Sequence, residues 1–135
     1  MNETQAATEE AKIREIIESW SKAIRNKDLN RILANHAPDL LMYDVPLPLE
    51  LRGIDAYRAS WKRFFSWLND GGTFEVSDLE VVTGRDVAFC HALVNCGNPR
   101  TSGQKDDLTV RLTVGLKRVD GQWTVLHEHH SAPSA

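Results

Sequence analysis

The order of the hydrophobic patterns constrains the fold of this chain most. Apolar residues recur at three- and four-residue steps in three early segments, which predicts helices over Thr8–Asn26, Leu29–His36 and Ile54–Leu68. Later segments are rich in β-branched and aromatic residues and are separated by turn residues, which is typical of strands. These segments are Thr73–Thr83, Val87–Cys96, Asp107–Val119 and Gln122–Ser131. Helices followed by a strand meander predict an α+β fold with helices on one face of an antiparallel sheet.

Local signals set the expected boundaries of the early elements. Thr8 is the expected cap of the first helix, and Asp28 is expected to open the second. Pro38 is expected to end that helix. An apolar stretch then predicts a strand over Leu40–Val45, and the prolines that follow it predict that this is an edge strand.

The composition favours one globular domain and excludes several classes of partner. The chain has 135 residues, 41% of them hydrophobic and 26% charged, which suits a single core. A formal net charge of -3 gives no general attraction to nucleic acid. No apolar run approaches the roughly 20 residues of a membrane-spanning helix, and the N-terminus is polar, so we expect no membrane and a cytoplasmic location.

The two cysteines are expected to be free thiols. If Cys90 and Cys96 lie on one strand, they are about 20 Å apart at roughly 3.3 Å per residue. That separation is far beyond the reach of a disulfide.

Four sequence strings carry a resemblance to a known superfamily, and together they span nearly the whole chain. They are ESWSKAIRNKDLNRILANHAPD, MYDVP, LELRGIDAYRASW and RLTVGLKRVDGQWTVLHEHHSAP. The chain thereby resembles the nuclear transport factor 2-like superfamily, with its SnoaL-like and ketosteroid isomerase-like members and the calcium/calmodulin-dependent kinase II association domain. The resemblance implies one domain over 1–135, a cone-shaped and strongly curved sheet with the helices on its concave side, and a pocket between them. It also implies a homodimer formed through the outer face.

Asp44 of the string MYDVP is the first candidate for chemistry. It resembles the general base of ketosteroid isomerases, which shuttles a proton next to a carbonyl. The alternative is a strand-end aspartate that accepts hydrogen bonds from nearby backbone amides. Trp20 stands where those isomerases carry a tyrosine donor, and Tyr43 should point to the opposite side of the strand from Asp44.

The Asp120-Gly121 turn predicts which residues of the last two strands face each other. A two-residue hairpin would place Arg111 opposite His130 and Thr113 opposite Glu128, all on one face. A three-residue loop with a bulge would place Arg111 beside His129 instead.

Arg111 is the expected guanidinium of the pocket. The resemblance to kinase association domains implies arginines at the positions of His91, Thr113 and His130, and none is present in this chain. Arg111 would then either bind a carboxylate or enolate-like oxygen of a ligand, or pair with Glu128.

The histidine-rich string from His127 to His130 does not predict a metal. Its side chains alternate between the two faces of a strand, so at most two neighbours converge. His91 or Asp44 would have to complete a site, and no spacing requires this. We therefore expect no metal, and a polar pocket wall or an interface instead.

Large aromatic residues are expected to cover or floor the cone. They are core residues in any small domain, and if the pocket exists they give it an apolar wall for a small hydrophobic or aromatic ligand. These residues are Trp20, Trp61, Phe65 and Phe89.

Two functions are compatible with these patterns. The first is a small-molecule pocket that carries out isomerisation, dehydration or cyclisation by proton transfer without a cofactor, with Asp44, His91, Arg111 and His130 as catalytic groups. Residues expected to contact the ligand are Trp20, Tyr43, Trp61, Phe65, Phe89, Thr113, Glu128 and His129. The second is a non-catalytic ligand-binding or dimerisation module of the same fold. No phosphate loop, nucleophile elbow or CxxC motif supports another chemistry.

Overall fold

Three helices and six strands make up the chain in this computed structural model, which describes residues 1–68, 70–99 and 105–134. The helices are α1 (Glu3–Arg25), α2 (Leu29–Leu33) and α3 (Ile54–Trp67). The strands are β1 (His36–Tyr43), β2 (Leu51–Arg52), β3 (Thr73–Thr83), β4 (Val87–Pro99), β5 (Lys105–Val119) and β6 (Gln122–Ser131).

The strands form one curved sheet in the order β2-β1-β6-β5-β4-β3, with the helices contributed by the N-terminal half. The predicted α+β architecture is confirmed. One pair differs from the expected antiparallel pattern, because β1 runs parallel to β6. Buried apolar side chains of α1, α3 and the inner face of the sheet form one hydrophobic cluster. The helices therefore cover the face of the sheet on which a cavity can form.

The first helix begins earlier than the sequence predicts. Its cap is Asn2 rather than Thr8, because the Asn2 side chain accepts a hydrogen bond from the Gln5 amide at 2.8 Å. The Gln5 side chain in turn accepts one from the Asn2 amide at 2.9 Å, which completes a capping box. The Thr8 hydroxyl donates to the Thr4 carbonyl within the helix.

The boundary between α2 and β1 also differs from the prediction. Helix α2 ends at Leu33, and β1 begins at His36, so Pro38 lies inside a strand rather than at a helix end. The register of β1 against β6 is irregular between His36 and Leu41. Pro38 falls in this interval, where its missing N–H removes no regular ladder bond. β1 is an inner strand, and the two-residue β2 forms the edge.

The turn between β5 and β6 follows the prediction, but the strands after it do not. Asp120 and Gly121 both have positive φ, and Val119 pairs with Gln122 as in a two-residue hairpin. Further along, Leu116 pairs with Val125 but Gly115 pairs with His127, so Leu126 is an extra residue in β6. Beyond this bulge, the side chains of β6 therefore lie on the face of the sheet opposite to the one that the turn predicts.

β4 and β5 are longer than the sequence predicts. β4 continues past Cys96 to Pro99, and β5 begins at Lys105 rather than Asp107. Of the predicted connection from Gly97 to Lys105, residues 100–104 lie outside the described part of the chain. Both cysteines lie on β4 and are buried free thiols, as expected.

Among the described residues, no helix combines the length and the apolar character needed to cross a bilayer.

The inner face of the sheet should carry much of the stability. Leu112 is 1% exposed on that face, whereas Leu49 is 87% exposed in the loop before β2. We expect Leu112→Ala to lower the free energy of unfolding by about 2–5 kcal/mol, because it leaves a cavity in the core. Leu49→Ala is the matched control and should change it by less than about 0.5 kcal/mol. Urea denaturation measures both, and equal effects would contradict this assignment of the core.

Candidate functional site

A cavity of about 430 Å³ opens between α3, the end of β1 and the inner face of the sheet. Its walls are predominantly apolar and aromatic. The lining residues are Met42, Asp44, Val45, Pro46, Ser60, Trp61, Arg63, Phe64, Trp67, Phe74, Val94, Cys96, Leu108, Val110 and His130. A cavity of this size and lining is typical of a site for a small apolar molecule.

A carboxylate, a guanidinium and an imidazole reach this lining. Asp44 is half-buried directly after β1, and its carboxylate accepts a hydrogen bond from the adjacent Val45 amide at 2.8 Å. Arg63 is exposed on α3. His130 is 7% exposed on β6 and belongs to the buried part of the wall.

Behind His130 lies a buried carboxylate, Glu128, which is 1% exposed. Its Oε1 is 2.9 Å from His130 Nε2, and its Oε2 is 2.6 Å from His36 Nε2. The Tyr57 hydroxyl donates a hydrogen bond to Oε2 at 2.7 Å. Burial alone would raise the pKa of Glu128, but the hydrogen bonds from His130 and His36, and the charges that both rings carry at such a low pH, lower it to about 2. Glu128 is therefore ionised in the folded protein.

The second histidine, His36, sits between two acceptors. Its Nδ1 is 2.9 Å from the Ala34 carbonyl oxygen, which can only accept a hydrogen bond, so Nδ1 carries a proton. Its Nε2 faces the ionised Glu128 and carries the other. Burial opposes the charge, but the hydrogen bond and charge of Glu128 raise the pKa of His36 above its usual value. His36 is thus a buried imidazolium ion.

Tyr57 joins helix α3 to this network. Its ring stacks on His36 with centroids 4.8 Å apart, and its hydroxyl accepts a hydrogen bond from Trp20 Nε1 at 2.9 Å. Burial and the nearby Glu128 charge raise the pKa of the phenol well above 10, so Tyr57 remains a neutral donor. The network thus joins side chains from α1, α3, β1 and β6.

His130 connects the network to the cavity. Its Nε2 is engaged with Glu128, and the described part of the chain makes no hydrogen bond to its Nδ1. Trp20 and Trp61 pack edge-on against the imidazole, each with its ring centroid 6.3 Å from that of His130. The ring is held by aromatic packing and by one strong acceptor, which fixes its orientation at the wall.

The structure brings some of the predicted site residues together. Asp44, Trp61 and His130 line the cavity. Trp20 and Glu128 lie behind its wall within the network, and Phe65 is half-buried against the hydrophobic core.

The other predicted site residues lie on the outer face of the sheet. The bulge at Leu126 pairs Arg111 with Ser131 and Thr113 with His129, so the expected pairing of Arg111 with a histidine or with Glu128 is wrong. The remaining members of the outer-face group are His91, which is beside Glu80 at 3.7 Å, the 46%-exposed Phe89, and Tyr43. Tyr43 contacts His127 and His129 edge-on, on the opposite side of the strand from the cavity, as alternation predicts.

Sequence reasoning missed His36 and the polar role of Tyr57. The helical spacing places Tyr57 on the buried face of α3, but nothing local indicates a carboxylate 71 residues away. His36 was expected at the end of a helix, and its contact with Glu128 joins residues 92 positions apart. A buried strand carrying Glu128 and His130 at alternate positions is the one local signal of a polar site.

The cavity wall also contains an unreactive thiol. Burial raises the pKa of Cys96 to about 12, so it stays protonated at neutral pH. Among the described residues, no group of three or more His, Cys, Asp or Glu side chains is arranged to hold a metal ion.

Comparison with protein families identifies the chain. The SnoaL-like domain family matches residues 13–135. The chain belongs to this family. A crystal structure of a nuclear transport factor 2-like protein of unknown function from Pseudomonas putida KT2440 is 35% identical, with a TM-score of 0.86 over 96% of this chain and 89% of that one. No curated protein matches significantly.

More distant structures share the fold of this SnoaL-like protein. A proposed dehydratase of the nuclear transport factor 2-like family from Streptomyces avermitilis is 16% identical, with a TM-score of 0.80 over 96% of this chain and 99% of that one. The association domain of the calcium/calmodulin-dependent kinase from C. elegans is 14% identical, with a TM-score of 0.76 over 95% of this chain and 98% of that one. Identities this low establish the fold alone.

The His36–Glu128 pair should make stability depend on pH. Because the pKa of His36 is raised on folding, its contribution is complete below the unfolded value of 6.5 and is lost as pH rises through the folded value. We expect the free energy of unfolding to fall above pH 6.5, by up to about 1.4 kcal/mol per pH unit. Urea denaturation from pH 5 to 9 measures this.

The control for this pH dependence is a histidine on the outer face. His36→Gln should remove the alkaline fall, whereas His129→Gln should keep it. An unchanged slope in His36→Gln would show that His36 is not charged in the folded protein.

Proposed function

We propose that this SnoaL-like protein binds a small hydrophobic or aromatic molecule in the cavity and moves a proton on it, with His130 as the acid/base group. The reaction class is isomerisation, dehydration or cyclisation, without an organic cofactor. The observation that carries the proposal is the position of His130, which is in the cavity wall on one side and bonded to buried Glu128 on the other.

The hydrogen bond to Glu128 selects the tautomer of His130. A carboxylate is an acceptor, so His130 Nε2 donates to it and carries the proton of the neutral ring. Nδ1 is then left with a lone pair. An imidazole held in one tautomer by a carboxylate is the arrangement by which histidine serves as a general base.

Asp44 supports the same proposal in a second position. It lines the cavity directly after β1, where it suits the return of a proton or the binding of a donor on the ligand. One of its oxygens accepts a hydrogen bond from the Val45 amide, as expected for a strand-end aspartate. The other oxygen is available for a ligand. We therefore assign to His130 the role of general base that the sequence predicted for Asp44. Asp44 takes the second acid/base position in the cavity.

The walls suggest what kind of ligand fits. Trp61, Phe64 and Phe74 form an aromatic wall, and Arg63 is the one lysine or arginine among the lining residues. A ligand that matches this lining has an apolar body and one acidic C–H or O–H group for His130.

Proton exchange on a model carbon acid tests this proposal. With 2-tetralone as the probe, we expect the protein to accelerate deuterium incorporation next to the carbonyl, followed by NMR. His130→Gln keeps a donor for Glu128 but removes the base, and it should slow exchange by about a hundredfold or more. His129→Gln, on the outer face, should leave the rate unchanged.

Two results would count against an acid/base role. Equal exchange rates in the His130 and His129 variants would remove His130 from the reaction. If 2-tetralone and 2-naphthol both quench tryptophan fluorescence on binding and no exchange is detected, the cavity is a binding site without chemistry.

A second function, assembly through the outer face of the sheet, is favoured by exposed apolar residues there. Phe89 and Val82 pair across β3 and β4, and Val87 and Leu93 are also exposed on that side. We propose that two copies of the chain pair through this face. The similarity in fold to a kinase association domain supports pairing as a use of this sheet.

Sedimentation velocity tests the pairing. We expect a dimer at micromolar concentration and a monomer in Phe89→Glu, because a carboxylate in an apolar interface is left without a partner. Leu49→Glu, at an exposed apolar residue in a loop outside the sheet, is the control and should remain dimeric. A monomeric wild-type chain would contradict the proposal.

A further inference from the structure

The two histidines that contact Glu128 differ in the hydrogen-bond partners of their ring nitrogens, and this difference affects the cavity wall. His36 has both ring nitrogens facing acceptors, whereas His130 has one facing an acceptor and one without a protein partner among the described residues. Both bond to the same carboxylate, on different oxygens. The partners of His36 therefore suit a ring with two protons, and those of His130 suit a ring with one.

We propose that His36 is a positioning residue for the cavity: a buried cation that neutralises Glu128, so that Glu128 does not hold a second proton on His130 and Nδ1 of His130 keeps its lone pair. This inference rests on the proposed function of His130. It adds a residue that does not line the cavity and touches no ligand.

The argument begins with the charge on Glu128. A buried carboxylate without a compensating cation stabilises a proton on any neighbouring base. With only Glu128 beside it, His130 would hold a second proton and could not accept one from a ligand. The imidazolium of His36, 2.6 Å from Oε2, supplies the compensating charge on the side away from the cavity.

The other groups near this pair do not replace His36. Tyr57 from α3 is a neutral donor to Glu128, and the two aromatic neighbours of His130, Trp20 and Trp61, are uncharged. On β5, the residue paired with His130 is Leu112. Among the described residues, the other titratable or charged groups that line the cavity or act on Cys90 beside the network are Asp44, Arg63, Cys90, Cys96 and Arg14, whose charge is matched by Glu10 at 3.1 Å.

Neither the two cysteines nor the pair of Asp44 and Arg63 changes the net charge around Glu128. Burial raises the pKa of Cys90 and Cys96 to about 12, so neither thiol carries a charge. Asp44 and Arg63 have opposite charges. His36 is thus the one cation within hydrogen-bond distance of Glu128 among the described residues, with Tyr57 and His130 as its neutral donors.

The test is the titration of His130 followed by nitrogen-15 NMR of the imidazole rings. His36→Gln retains a neutral donor for Glu128 Oε2 but removes the charge. We expect the midpoint of His130 to rise by about 1 to 3 pH units in this variant, as expected for an uncompensated carboxylate. His129→Gln should leave it unchanged. An unchanged or lower midpoint in His36→Gln would overturn the proposal.

A measurement on the unaltered protein covers the case in which His36→Gln does not fold. At pH 7.5, the nitrogen shifts should show both nitrogens of His36 protonated and only Nε2 of His130 protonated. A neutral His36 ring, or a doubly protonated His130, would overturn the proposal.

Activity separates this inference from the proposed function. If His130 acts on 2-tetralone, the rate of deuterium exchange in His36→Gln should fall at pH 7 and recover at higher pH, along with the His130 midpoint. Loss of exchange at all pH values would show that His36 does more than set the charge. If His130→Gln leaves exchange unchanged, the proposed function fails, and the NMR titration still decides the role of His36.

Discussion

The ionised carboxylate of Glu128 is the constraint on which the rest of the site depends. Burying a carboxylate is costly unless each oxygen is hydrogen-bonded and the charge is matched. The fold meets this requirement with donors from three elements: His36 from β1, Tyr57 from α3 and His130 from β6 itself. These contacts join the parallel β1–β6 pair to the covering helix. The network that makes the site chemically useful therefore also orders the elements around it.

A single extra residue decides which side chains of β6 take part. Because Leu126 is bulged, Glu128 and His130 turn towards the helices, while His127 and His129 turn outwards with Thr113. The hairpin turn at its start was predictable from Asp120 and Gly121, since both adopt the positive φ that this turn type requires. The bulge was not predictable, because alternation along Gln122–Ser131 looks equally regular with either face inward.

The sequence predicted the elements and the fold better than the site, and the reason is the range of the interactions. Helical spacing and strand composition act over a few residues, so α1, α3 and every strand except the two-residue β2 were identified, with errors at their ends. The site depends on contacts between β1, α3 and β6. His36, which was expected to end a helix, instead begins β1. The ladder between β1 and β6 is irregular between His36 and Leu41, where Pro38 lies. Trp61 lies on the buried face of α3, as its helical spacing indicates, whereas alternation alone did not decide which face of β6 carries His130.

The hydrogen bonds of Tyr57 limit how the cavity can stabilise a negative charge on a ligand. In the isomerases that this chain resembles, a tyrosine donates to the oxygen on which negative charge develops, but here the Tyr57 proton is directed to Glu128, and Trp20 donates to Tyr57. No phenol is therefore available to stabilise an oxyanion beside His130. Arg63, at the exposed end of the lining, is the remaining positive group. Under the proposed function, a ligand oxygen that gains negative charge is best placed towards Arg63, with the acidic hydrogen towards His130.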